Sequence, residues 1–70
     1  MSCVEDNLAS NRLSRAGECL QAVVAMAPGD PGLLLLRRRV AARWIGHAEE
    51  RLGASELAAA RRAYEAAREI

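Results

Sequence analysis

Apolar residues recur through the first part of the chain in alternating steps of four and three: Ala9, Leu13, Ala16, Leu20, Val23 and Ala27. That spacing places them on one stripe of an α-helix. Asn7, Asn11, Arg12, Arg15, Glu18 and Gln21 fall off the stripe, on the side that water should keep. The pattern predicts one helix from about Glu5 to Ala27, with residues 1–4 loose ahead of it. Gly17 costs that helix about 1 kcal/mol relative to alanine, which a close approach of another helix would explain.

Pro28-Gly29-Asp30-Pro31-Gly32 is the strongest punctuation in the chain. Pro28 should stop the first helix, and Asp30 should cap the next, with Pro31 at a first position that needs no donor. The second helix is expected from Pro31 to Leu52, about 33 Å long. Leu34, Ala41, Ile45, Ala48 and Leu52 make one line along it. Leu33, Val40 and Trp44 make the adjacent line, while Leu35 and Leu36 point elsewhere. Gly53-Ala54-Ser55 then breaks the pattern, and Ser55 is a suitable cap for a third helix. Its stripe is Leu57, Ala60, Tyr64 and Ala67, with Ala59, Ala63 and Ala66 extending the small-residue surface. Trp44 and Tyr64 are expected in the core. No stretch alternates apolar and polar over the length of a strand. The expectation is an all-α fold of three helices, antiparallel because their loops are short.

The end of the second helix and the third helix resemble a tetratricopeptide repeat. That motif sets an aromatic and then a small residue on its first helix, and small, aromatic and small residues on its second. Trp44 and Ala48 match the first pair, and Ala60, Tyr64 and Ala67 match the second set. Ala16, Leu20, Val23 and Pro28 repeat the second half of the motif, and Pro28-Gly29-Asp30-Pro31 is similar to the turn between repeats. The resemblance covers about residues 12–70 and implies a tetratricopeptide-like hairpin packed with an additional N-terminal helix. It also implies a ring of Tyr64 lying between helical layers, and a function in protein binding. About three repeats are needed for a stable stack. One and a half therefore lean on self-association or on a partner.

Length sharpens that point. Seventy residues make a single domain, residues 1–70. A chain of this size buries only about 60% of its unfolded surface. Small folds usually draw support from disulfides, a metal, oligomerisation or a partner. Cys3 and Cys19 allow one bridge at most, which is not a disulfide framework. No basic start and apolar core of a cleavable signal is visible. The reading is therefore a cytoplasmic chain with reduced thiols, Cys19 serving as a small buried hydrophobe. No apolar run approaches the roughly 20 residues that cross a bilayer, so no membrane partner is expected.

Candidate chemistry is sparse. His47 is the only histidine, and with two distant cysteines it does not make a zinc site. Glu49 and Glu50 are adjacent and so do not share a helix face. No nucleophile motif and no glycine-rich phosphate loop is present. The chain is expected not to be an enzyme, with no catalytic residue, cofactor or metal. The contact candidates lie together: Leu33, Leu35 and Leu36, followed by Arg37, Arg38, Arg39 and Arg43. Consecutive leucines cannot all face one side of a helix, so at least Leu35 and Leu36 should stay uncovered and mark an interface. Residues 31–52 carry five arginines against two glutamates, and residues 1–30 carry two arginines against four acids. An acidic protein surface is the natural complement of the former. A net charge of +1 and only two aromatic residues argue against nucleic acid. The expected partner is a protein or a second copy of the chain. An alternative is a small chaperone or assembly subunit of a bacterial machine, such as a type III secretion system, and a further alternative is nucleic-acid binding through Arg37, Arg38, Arg39 and Arg43.

Overall fold

The predicted first helix is two helices. In the computed structural model, which describes residues 3–70, α1 spans Cys3–Ala9 and α2 spans Leu13–Met26. The expectation of loose residues 1–4 fails for Cys3 and Val4, which belong to α1; Met1 and Ser2 lie outside the described residues. Asn11 takes a left-handed conformation, φ 58°. Around it Arg12 N–H donates to the Asn7 carbonyl at 2.7 Å, and Asn11 N–H to the Leu8 carbonyl at 3.0 Å. This pair of bonds is the Schellman closure of a helix end, and asparagine is among the few residues that accept its left-handed position. The physical reason lies in the leucines. Leu8 and Leu13 are five residues apart, which on one helix would turn them about 140° from each other. Breaking the helix lets both be buried, together with Val4, and leaves Ala9 in water.

A disulfide joins Cys3 to Cys19, with Cα atoms 5.8 Å apart. This corrects the expectation of free thiols and of Cys19 as an ordinary core residue. The bond fastens α1 to α2. Closing a loop of this length removes about 3 kcal/mol of conformational freedom from the unfolded chain.

The next corner follows the sequence closely. Ala27 N–H still bonds to the Val23 carbonyl at 2.8 Å, and Pro28, which lacks a donor, ends the run. Asp30 Oδ1 accepts from Gly32 N–H at 2.9 Å, and Pro31 already has helical angles, φ −62° and ψ −21°. From there α3 runs Gly32–Gly53. It closes with a second Schellman pair: Glu56 N–H to the Arg51 carbonyl at 2.8 Å, and Ser55 N–H to the Leu52 carbonyl at 3.0 Å. Ser55, φ 63°, is thus the left-handed residue that ends α3 and not the cap that starts the next helix. That helix, α4, spans Leu57–Arg68 and opens without a side-chain cap. The Glu56 carboxylate is instead ion-paired with Arg51 across the corner.

The core gathers Val4 and Leu8 of α1, Leu13, Ala16 and Leu20 of α2, and Leu33 and Val40 of α3; Leu36, Trp44 and Ile70 pack against it half-buried. Burying a leucine fully is worth about 1.5–3 kcal/mol, so this cluster supplies most of what a short chain has. The buried line of α3 is Leu33, Val40 and Ala48, so the line through Leu34, Ile45 and Leu52 is the open one. The α1–α2 hairpin covers one side of a stripe too wide for it.

Helix α4 packs on α3 through Ala48, Ala60 and Ala63, all essentially inaccessible. Small residues let the two backbones approach, while Tyr64, expected between layers, is 37% exposed. No Cα of α2 comes within 8 Å of one in α4. The architecture is therefore two helical hairpins, α1–α2 and α3–α4, joined along α3, in place of the three antiparallel helices expected. The whole is all-α, with no strand among the described residues. Gly17 has nothing within 4 Å of where a Cβ would stand, so it marks no close helix contact. No helix among the described residues is long and apolar enough to cross a membrane.

Candidate interaction surface

Helix α3 is the spine of the molecule, and its circumference divides into sectors. One holds Leu33 and Val40 in the core, and the next, with Ala48, carries α4. Between them, where α2 and α4 stay apart, lies an open groove of about 450 Å³. Trp44 and Arg37 line it from α3, Leu20 and Val24 from α2, and Ile70 from the end of the chain. Glu18 and Glu69 stand beside them. A second cleft of about 310 Å³ meets it at Trp44 and takes in Asn11, Arg15 and His47. The His47 ring stands edge-on to Trp44, centroids 6.1 Å apart. Gly17 borders the larger groove, where its missing side chain leaves room.

The remaining sector faces solvent and carries a line of apolar side chains with Arg38 and Glu49 among them. Leu34 is 58%, Leu35 63%, Ile45 42% and Leu52 50% exposed, and Leu57 at the start of α4 is 66% exposed. Of the four consecutive leucines, Leu33 is buried in the core and Leu36 is half-buried against it. The open pair is thus Leu34 and Leu35, where Leu35 and Leu36 were expected. The pattern alone does not mark Leu34, Ile45 and Leu52 as surface residues, because their line is as suited to a core as its neighbour. The signal available was the length of the last helix: α4 has 12 residues against 22 in α3 and cannot cover it end to end.

The arginine row divides by function. Arg39 pairs with Glu5 at 3.1 Å, and Arg43 donates to Asn11 Oδ1 at 3.2 Å. These two arms hold α1 and the α1–α2 corner against α3. Both ion-pair partners in the first contact are about half exposed, so the pair contributes little to stability. Arg37 lines the groove. Arg38 is exposed and makes no ion pair among the described residues. Glu49 and Glu50 are exposed, and Glu50 lies 3.9 Å from Arg51. No cluster of three metal-ligating side chains occurs among the described residues.

Compared with known protein families, curated proteins and solved structures, the chain matches none.

Proposed function

We propose that this chain is a non-enzymatic protein-interaction module that binds through the outer face of α3 and the adjoining start of α4. The observation that carries the reading is the uncovered line Leu34, Ile45 and Leu52, with Leu35 and Leu57 beside it, on a fold with little apolar area to spare. Arg38 adds a cation within this face. Two of the row's four arginines are occupied inside the molecule, which favours a protein surface over a phosphate backbone as the partner. Absence of catalysis is part of the same proposal: His47, Glu49 and Glu50 offer no convergent acid–base set in a dry pocket. The tetratricopeptide-like character of the α3–α4 hairpin also belongs to it, and rests on the sequence positions Trp44, Ala48, Ala60, Tyr64 and Ala67. So does a cytoplasmic location.

The second reading, a small chaperone or assembly subunit, is favoured by the groove between α2 and α4. Its apolar lining by Leu20, Val24, Trp44 and Ile70 offers a seat for the apolar face of a helix.

The test is face-dependent capture. The intact protein and its Ile45→Glu variant are immobilised and exposed to a lysate of the source cell, with circular dichroism confirming equal helix content. Loss of specifically captured protein, or of self-association, in the variant supports the proposal. Identical behaviour of the two forms contradicts it.

A further inference from the structure

The outer face of α3 carries a pattern that is complementary to itself. Leu34, Arg38, Ala42, Ile45, Glu49 and Leu52 are all exposed and follow one another in steps of four, four, three, four and three. Such steps keep a line of contact on one side of a helix. The line reads apolar, cation, small, apolar, anion, apolar. Read in the opposite direction it becomes apolar, anion, apolar, small, cation, apolar.

We propose that the occupant of this face is a second copy of the chain, docked as an antiparallel α3–α3 pair about a two-fold axis near Arg43. In that register Leu34 and Leu35 straddle the partner's Leu52. Ile45 enters the space left by the partner's Ala41 and Ala42, and Arg38 lies opposite the partner's Glu49. Each contact occurs twice, as isologous symmetry requires. Arg38 and Glu49 sit about three helical turns apart, too far to pair within one chain, and neither makes an ion pair within it among the described residues. A partner with a purely acidic surface would satisfy Arg38 and repel Glu49, whereas the chain itself satisfies both. Size agrees as well. The molecule is 39 Å long, so a pair docked along α3 makes contact over most of its length.

The inference rests on the reading of this face as a binding surface and adds the identity of the partner. Sedimentation of the full oxidised chain over about 1–500 µM tests it, because mass action governs the populations. The expected result is a dimer that Ile45→Glu converts to a monomer of unchanged helix content. Arg38→Glu alone and Glu49→Arg alone should each weaken association about tenfold or more, and the combined Arg38→Glu, Glu49→Arg variant should recover most of the loss. If Ile45→Glu fails to fold, the exchange of the two exposed charges still decides. A folded monomer at every concentration overturns the inference, as does a dimer indifferent to these substitutions or a charge exchange that restores nothing. If the monomer nevertheless loses a captured protein on Ile45→Glu, the wider interaction reading stands with a different partner. If it loses nothing, both fall.

Discussion

Asn11 and Ser55 occupy the same place in two helix ends that are bonded alike. Each is left-handed, at φ 58° and 63°, and each is followed by a residue whose amide reaches back five positions, Arg12 to Asn7 and Glu56 to Arg51. Apolar residues flank both corners, Leu8 and Leu13 at the first and Leu52 and Leu57 at the second. The first pair is buried and the second is open. The hairpins are thus alike in their turns and unlike in what covers them.

Serine is poorly suited to that conformation, and glycine adopts it without steric cost. Ser55→Gly is expected to stabilise the protein by about 0.5–1 kcal/mol, read as a higher Tm. Asn11→Gly should gain nothing, because it also removes the acceptor that Arg43 uses. A loss of stability in Ser55→Gly would contradict the assigned turn.

Reducing the Cys3–Cys19 bond should cost about 3 kcal/mol, a large part of the roughly 3.5–10 kcal/mol expected for a chain of this length. Amide exchange should rise first in α1, which is held besides by Val4, Leu8 and the Glu5–Arg39 pair. Thermal melts with and without reductant, repeated on Cys19→Ser, measure the effect. Equal Tm values in both conditions would show that the bond does not constrain the fold.

Core and surface leucines should respond very differently. Leu20→Ala removes a buried side chain and is expected to cost about 2–5 kcal/mol. Leu35→Ala, on the open face, should stay within about 0.5 kcal/mol in dilute solution. Denaturant unfolding of both variants gives the comparison, and similar losses would contradict the placement of the two side chains.

The α3–α4 contact tolerates no larger side chain. Ala63→Leu is expected to destabilise by about 1–3 kcal/mol through overpacking, whereas Gly46→Ala, with nothing within 4 Å of the new Cβ, should stabilise by about 0.5–1 kcal/mol. Urea titration of the two variants checks the signs.

Much of this fold was legible in the pattern of residues, and the failures share a cause. Of the stripe that the spacing predicts from Ala9 to Ala27, Leu13, Ala16 and Leu20 are buried, Val23 is half-buried, and Ala9 and Ala27 are exposed. The Pro28–Gly32 corner and the extent of α3 also follow from local chemistry, through Asp30 and the missing donor of Pro28. The break at Asn11 was hidden because Ala9 continues the period of the next helix, so an uninterrupted stripe could be drawn across it. Only the larger Leu8, out of phase, betrays the competing solution. On α3 two apolar lines lie side by side, and the pattern along one helix does not say which of them its neighbours will cover. The candidate site carries the same ambiguity: the pattern predicts Leu35 and Leu36 open and Leu34 in the core, whereas Leu34 and Leu35 are open and Leu36 turns inward. The sequence places Arg39 and Arg43 on a charged face, while their partners Glu5 and Asn11 lie on elements that only tertiary packing brings near.

The most direct test of the central claim, that the outer face of α3 is covered by a second copy, is the melting temperature as a function of protein concentration. Association that stabilises the folded state makes the Tm of the unaltered chain rise by several degrees over about a hundredfold range, and Ile45→Glu abolishes the rise. A Tm independent of concentration in both forms would contradict it.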